Sequence, residues 1–136
     1  MVLVDTNVLL DVVLDDPAWA DWSQRQLEMA SLRGELVINP VIYAELSIAF
    51  ARIEELEAVV AEGGLEMQEI PREALFLAGK AFLDYRRRSR TRVKRNVLPD
   101  FFIGAHAAVR GIPILTRDVG RYATYFPTVR LLHPAG

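Results

Sequence analysis

The feature that most constrains the fold is a series of short apolar runs, each too brief for a helix, that alternate with longer amphipathic segments. These runs predict buried strands at residues 2–4, 36–38, 65–70 and 112–115, with a possible fifth, edge strand at 129–132. Apolar strands that alternate with helices predict an α/β layer structure with a mostly parallel sheet. In such folds the active crevice lies beyond the carboxyl ends of the strands, which is where chemistry is expected.

Capping residues, prolines and glycines bound the predicted helices. Asp16 and Pro17 open a helix that stops at Gly34, and further helical patterns cover residues 41–51 and 53–62. Pro71 opens a longer helix whose carboxyl end is rich in arginine. Asp100 is expected to cap a helix that runs to Arg110, and a short helical turn follows residue 118.

Length and composition indicate a single folded domain and exclude several kinds of metal site. The chain has 136 residues, of which 51% are apolar, and this predicts one packed domain over residues 1–136. Cysteine is absent, which excludes disulfides and thiolate zinc sites, and His106 and His133 are too few for a histidine-based site. A metal is therefore expected on carboxylate oxygens, which favours magnesium or manganese.

No uncharged run approaches the roughly 20 residues that a membrane span needs. Asp5 interrupts the amino-terminal apolar run before a signal peptide can form. We therefore expect a soluble, cytoplasmic protein.

The formal net charge of −2 conceals a segregation of charge. Nine basic and eighteen acidic residues are spread over most of the chain, while seven basic residues and no acid occupy residues 86–95. We call these seven the basic strip: Arg86, Arg87, Arg88, Arg90, Arg92, Lys94 and Arg95. An acidic body with one basic strip is typical of a protein that binds both cations and a polyanion, although a solvated helix end has the same composition.

Four acidic residues lie where the predicted topology expects chemistry. Asp5 follows the first strand, Asp118 follows the fourth, and Asp100 begins a helix; each of these three, taken alone, is also explained as a helix cap. Glu45 is the only charged residue from residue 36 to residue 51, and its helical neighbours are mostly apolar. If this carboxylate is buried, its negative charge must be compensated. The compensation comes either from a distant partner such as Arg110 or Arg117 or from a bound cation.

The four acids together favour a metal site. Carboxylates brought close together repel one another, and a divalent ion relieves that repulsion. The sequence has no glycine-rich phosphate loop, nucleophile elbow or Ser-His-Asp set. Metal-assisted phosphodiester hydrolysis is therefore the leading hypothesis.

The segments around these acids resemble the four acidic motifs of PIN-domain nucleases. They are residues 4–9 (VDTNVL), 43–46 (YAEL), 98–101 (LPDF) and 115–118 (LTRD). The tail, with RY at 121–122 and YFP at 125–127, resembles the end of VapC-type toxins. The resemblance covers essentially the whole chain in order, and each motif is short by itself.

The resemblance implies a PIN-like three-layer domain with a central sheet of four to five strands and helices on both faces. It implies a magnesium- or manganese-dependent endoribonuclease, the toxin of a type II toxin–antitoxin pair, with an RNA substrate, a VapB-type antitoxin partner and a homodimeric state. Carried over by position, Asp5 and Asp100 become the principal metal ligands, and Glu45 and Asp118 complete the catalytic acids. The polar residues expected to support them are Thr6, Asn7 and Thr116.

Two other functions remain open at this point. One is a non-catalytic module on the same fold that binds nucleic acid or another protein. The other is an aspartate-based phosphotransfer domain. A dehalogenase-like phosphatase needs a second aspartate where this chain has Asn7, and a receiver domain needs a lysine after its last strand, whereas the only lysines are Lys80 and Lys94.

Several other polar and aromatic residues are expected to be structural. His106 lies on a mostly apolar helix and is predicted to be a packed or hydrogen-bonded side chain. Trp19 and Trp22 are expected in the core or an interface. Three acids are predicted to be caps and surface charges: Asp11, Asp15 and Asp16.

Overall fold

The structure is a computed structural model that describes residues 1–89 and 97–134, and its centre is a parallel sheet. Five strands pair in the order β3-β2-β1-β4-β5, and every neighbouring pair is parallel. The predicted α/β class is confirmed. The strands are β1 (Val2–Val4), β2 (Leu36–Ile38), β3 (Leu65–Met67), β4 (Ile114–Leu115) and β5 (Leu131–Leu132).

Helices connect consecutive strands. In the described ranges they are α1 (Thr6–Val13), α2 (Ala20–Arg33), α3 (Pro40–Ser47), α4 (Ile53–Glu62), α5 (Arg72–Arg88), α6 (Leu98–Arg110) and α7 (Gly120–Tyr125). Because parallel crossovers are right-handed, α1 to α4 cover one face of the sheet and α5 to α7 cover the other. The direction of winding reverses between β1 and β4, so the crevice expected for a ligand lies at the carboxyl ends of these two strands.

Some boundaries differ from the prediction for local reasons. Asp16 accepts the backbone N–H groups of Ala18 and Trp19, both at 2.9 Å, and this turn delays the start of α2 to residue 20. The third helix ends at residue 47 and not at 51. The strand predicted from residue 112 begins at 114, because the Ile112 N–H bonds the last turn of α6 and Pro113 has no N–H.

An aromatic cluster joins α5, α6 and α7 on one face of the sheet. Phe101 lies at its centre, with ring centroids 5.3 Å from Tyr125 and 5.5 Å from Tyr85. The ring of Phe126 lies so close to Gly104 that a Cβ at position 104 would come within 2.3 Å of it. Phe126, which directly follows α7, therefore packs against the backbone of α6, and this contact fixes the position of α7 relative to the crevice.

His106 lies fully buried on α6, as predicted for a structural histidine. Its Nδ1 is 3.0 Å from the Asn39 side-chain amide, and Asn39 Oδ1 accepts the Ile42 N–H as the cap of α3. Burial and the nearby charge of Arg110 lower the pKa of His106. Among the described residues no helix is long and apolar enough to cross a membrane.

Candidate metal-binding site at the carboxyl ends of β1 and β4

Asp5 lies where β1 ends and α1 begins, next to the end of β4. Its backbone N–H donates to the Leu115 carbonyl at 2.9 Å, which continues the pairing of the two strands. Its Oδ1 accepts the Thr6 N–H at 2.7 Å, so the expected helix cap is present. The cap uses one carboxylate oxygen and leaves Oδ2 directed at other elements.

Oδ2 of Asp5 accepts hydrogen bonds from side chains that are distant in sequence. Thr116 donates its hydroxyl at 2.8 Å and Tyr122 its phenol at 2.9 Å, while the Asn7 amide lies at 3.5 Å. Asp5 is 4% exposed, and burial, reinforced by the charge of Asp100, raises its pKa to about 6 in spite of these bonds. Burial and the charge of Asp5 raise the pKa of Tyr122 well above its ordinary value, so its hydroxyl remains a donor.

Glu45 is held by Thr6 from across the site. The Thr6 hydroxyl donates to Glu45 Oε1 at 2.6 Å. Of the two kinds of compensation left open by the sequence, a distant partner is present, but it is the Thr6 hydroxyl on α1. Arg117, one of the two arginines considered, binds Asp11 instead. Burial and then the charge of Asp100 raise the pKa of Glu45.

Asp100 lies in the first turn of α6, and it is not the cap of that helix, whose cap position is Val97. Its Oδ2 lies 2.5 Å from Nη1 of Arg121, in an ion pair whose side chains are 30% and 24% exposed. Burial nevertheless raises the pKa of Asp100, because desolvation and repulsion from Asp118 outweigh the attraction of the guanidinium.

Asp118 forms the turn that leads into α7. Its N–H donates to the Thr116 hydroxyl at 3.0 Å, and its Oδ1 accepts the Gly120 N–H at 3.2 Å. Asp118 is exposed at the rim of the crevice.

One cavity of about 200 Å³ brings the four acids together. Its other lining residues are Thr6, Asn7, Leu10, Arg121 and Tyr122. Carboxylate oxygens around a polar cavity fit a hard divalent cation in their chemistry. Within residues 1–89 and 97–134, however, no three acidic or histidine side chains are close enough to form a ready-made cluster for an ion. Arg121 supplies the positive charge in the described part of this cavity.

A family comparison agrees with the fold. The family model of the PIN domain matches residues 2–126. The chain belongs to the PIN domain family. The resemblance noted in the sequence is therefore confirmed, whereas the roles of the individual residues remain predictions.

Several solved structures have a similar fold. VapBC2 from Rickettsia felis, bound to a DNA fragment from its promoter, has 16% identity and a TM-score of 0.72 over 98% of each chain. DNA-bound VapBC from Salmonella typhimurium has 21% identity and a TM-score of 0.66 over 98% of each chain. FitAcB from Neisseria gonorrhoeae has 16% identity and a TM-score of 0.66 over 96% of each chain. No curated protein sequence matches this chain.

In this PIN domain, Asp11 is neither a cap nor a surface charge. It is 3% exposed, its Oδ2 accepts the Ser23 hydroxyl at 2.6 Å, and Arg117 binds both of its oxygens at 2.6 and 2.9 Å. The Arg117 guanidinium also lies 5.0 Å from the centroid of the Trp19 ring. This network fixes the segment that carries residues 116–118 against α1 and α2.

Part of the basic strip falls within the described residues of the PIN domain. Arg86, Arg87 and Arg88 are exposed in the last turn of α5. Arg88 bonds Asp84 at 3.1 Å and lies 5.5 Å from the Tyr125 ring centroid. The other four predicted RNA-binding residues lie outside the described residues: Arg90, Arg92, Lys94 and Arg95.

The sequence shows Arg121 and Tyr122 only as part of a tail motif and does not predict that these two polar residues line the cavity. Both lie on α7, which follows the carboxyl end of β4, so the rule that places ligands at this edge of the sheet also applies to them. Their polar groups contact Asp100 and Asp5 respectively.

Proposed function

We propose that this PIN domain is a metal-dependent endoribonuclease that hydrolyses RNA phosphodiester bonds. The observation that carries the proposal is the convergence of four acidic side chains on one cavity at the carboxyl ends of β1 and β4: Asp5, Glu45, Asp100 and Asp118. Members of the PIN family are generally nucleases that use divalent ions, and these carboxylates have the ligand chemistry that magnesium or manganese requires.

Asp5 and Asp100 would hold the cation, and Glu45 and Asp118 would complete the catalytic acids of the cavity. A bound divalent cation supplies Lewis acidity toward a phosphate oxygen and makes a coordinated water more acidic. Asp5 is oriented by Thr116 and Tyr122, and Glu45 is oriented by Thr6. Thr6 holds one carboxylate oxygen of Glu45, and Glu45 would take the proton from the attacking water with the other.

The basic strip would bind the RNA backbone. Its exposed guanidinium groups at the end of α5 lie close to α7, since Arg88 packs on Tyr125, and α7 lines the cavity. Arginine side chains next to the cavity would contact phosphates and position the RNA strand without reading its bases.

The partner proposal is a VapB-type antitoxin, with a homodimeric toxin in the cytoplasm. Its support is the fold shared with chains from VapBC complexes of two organisms. Co-expression with the open reading frame next to this gene tests it: we expect a small protein that co-purifies and inhibits cleavage. A gene that stands alone and is harmless when expressed would favour a housekeeping nuclease.

Cleavage of labelled RNA tests the enzymatic proposal. We expect cleavage with Mg²⁺ or Mn²⁺, loss of cleavage on chelation, and almost complete loss in Asp100→Asn. Asp21→Asn, which removes a carboxylate from the exposed surface of α2, is the matched control and retains activity. RNA binding without cleavage under all metal conditions would instead support a non-catalytic module on this fold.

A further inference from the structure

The helix α7 places two consecutive side chains on the two carboxylates proposed as metal ligands. Tyr122 donates to Asp5 Oδ2 at 2.9 Å, and Arg121 Nη1 lies 2.5 Å from Asp100 Oδ2. The first is a neutral donor in a buried network. The second is a full positive charge, and it lies in the cavity where a divalent cation would bind.

Arg121 is partly exposed and contacts an aromatic ring as well as Asp100. Its side chain is 24% exposed and lines the cavity, and its guanidinium lies 5.7 Å from the centroid of the Tyr85 ring. A guanidinium has five N–H donors, and the bond to Asp100 uses one nitrogen of the group. The side chain can therefore leave Asp100 while it keeps its contact with the aromatic ring.

A guanidinium and a divalent cation on the same carboxylate repel each other. We propose that Arg121 is an internal counter-ion that occupies Asp100 until a divalent cation binds, and that it then binds a backbone phosphate of the RNA. This inference rests on the proposed function. It assigns to Arg121 a role in substrate binding that depends on the state of the metal site.

The location of Arg121 favours phosphate as its second partner. Tyr85, on which the guanidinium lies, directly precedes Arg86 and the rest of the basic strip. A released Arg121 thus lies between the cavity and the surface proposed to bind the RNA backbone. A planar guanidinium binds phosphate through paired N–H donors, which is a stronger arrangement than its single bond to Asp100.

The first test measures metal binding without RNA, by isothermal titration of the full chain with Mn²⁺. Arg121→Gln removes the charge, Arg121→Lys keeps it, and exposed Arg130→Gln is the matched control. We expect Arg121→Gln to bind Mn²⁺ about fivefold more tightly, which corresponds to loss of a partly exposed ion pair. Arg121→Lys and Arg130→Gln are expected to bind like wild type, and thermal melts verify that each variant is folded.

Unchanged affinity in Arg121→Gln would overturn the proposed competition. Weaker binding would also overturn it, because Arg121 would then position Asp100 for the ion. If neither wild type nor Arg121→Gln binds Mn²⁺, the metal-dependent function fails together with this inference. Mn²⁺ binding by wild type that is insensitive to Arg121 leaves the proposed function intact and rejects the inference alone.

The second test measures binding of a short 2′-O-methyl oligoribonucleotide as a function of salt, with chelator and with Mn²⁺. In chelator, Arg121 stays on Asp100, so wild type and Arg121→Gln are expected to give the same salt slope. With Mn²⁺, the plot of log binding constant against log salt concentration is expected to be steeper for wild type than for Arg121→Gln. The expected difference in slope is about 0.7, the value for one single-strand phosphate contact. If wild type and Arg121→Gln have equal slopes in both conditions, or already differ in chelator, Arg121 does not exchange Asp100 for a phosphate.

Discussion

Replacing Asp5 with asparagine tests whether the buried carboxylate is a metal ligand or only a helix cap. The fold raises the pKa of Asp5 from 3.8 to about 6, mainly through burial. That rise is equivalent to about 3 kcal/mol, and at 4% exposure little of it is screened by solvent. Because the folded-state pKa is the higher one, this stability is fully present below pH 3.8 and is lost as the pH rises through about 6.

Asparagine at position 5 keeps the volume and removes the charge. Its oxygen can still accept the Thr6 N–H, and its amide can donate to the Tyr122 hydroxyl, since a hydroxyl both donates and accepts. The amide can also donate to the Thr116 hydroxyl if it replaces the 3.4 Å bond from Asn7, while Thr116 donates to the Asp118 carbonyl. We therefore expect metal-free Asp5→Asn to be at least as stable as wild type at neutral pH. The stability of wild type minus that of the variant is expected to fall by about 3 kcal/mol between acidic and neutral pH.

Urea unfolding in chelator at a series of pH values measures this difference. Addition of Mg²⁺ at about a hundredfold excess over Kd is expected to stabilise wild type by about 2.7 kcal/mol and to leave the variant unchanged. Asp21→Asn is the control for removing a carboxylate from the surface. If metal-free Asp5→Asn is much less stable than wild type at every pH, Asp5 is a structural cap and the metal site is wrongly assigned.

Three further predictions concern residues around the site. Asp11→Asn leaves the half-buried Arg117 without its partner, and we expect a loss of about 3–5 kcal/mol in urea unfolding; a loss no larger than that of exposed Asp21→Asn would contradict this. Arg86→Ala with Arg87→Ala is expected to flatten the salt dependence of RNA binding by up to about 0.7 per lost contact, whereas an unchanged slope identifies a solvated helix end. Because the pKa of His106 is lowered on folding, stability is expected to fall as the pH drops below 6.5. The variant His106→Gln should lose this part of the pH dependence, and retention of the full dependence would refute it.

The fold was predictable because its signals are local. Three consecutive buried residues in β1 or β2 interrupt the helical patterns on either side, and Gly111 ends α6 at a φ of +67°, which favours glycine. Asp5 and Asp118 were identifiable for a related reason, since parallel strands bring their carboxyl ends to one edge of the sheet.

Partners across the site were not predictable, because they depend on packing between helices far apart in sequence. Arg117 was considered as a partner for Glu45, yet it binds Asp11, because the turn after β4 directs its side chain toward α1 and α2. Asp11 was expected on the surface because one aspartate in a short helix carries no sign of its burial. Arg121 carries no sequence signal beyond the tail motif, because its contact with Asp100 depends on how α7 packs against α6.

The hydrogen bonds that complete the site also determine when it forms during protein synthesis. Asp5 is separated from Thr116 by 111 residues and from Tyr122 by 117. A ribosome that has translated β1, β2 and β3 has made Asp5 and Glu45, but not the strand that pairs with the other side of β1 or the helix that carries Tyr122. Long-range parallel pairing of this kind forms late in folding. A nascent chain therefore lacks an assembled acidic cavity. The complete site can form only after β4 and α7 have been translated.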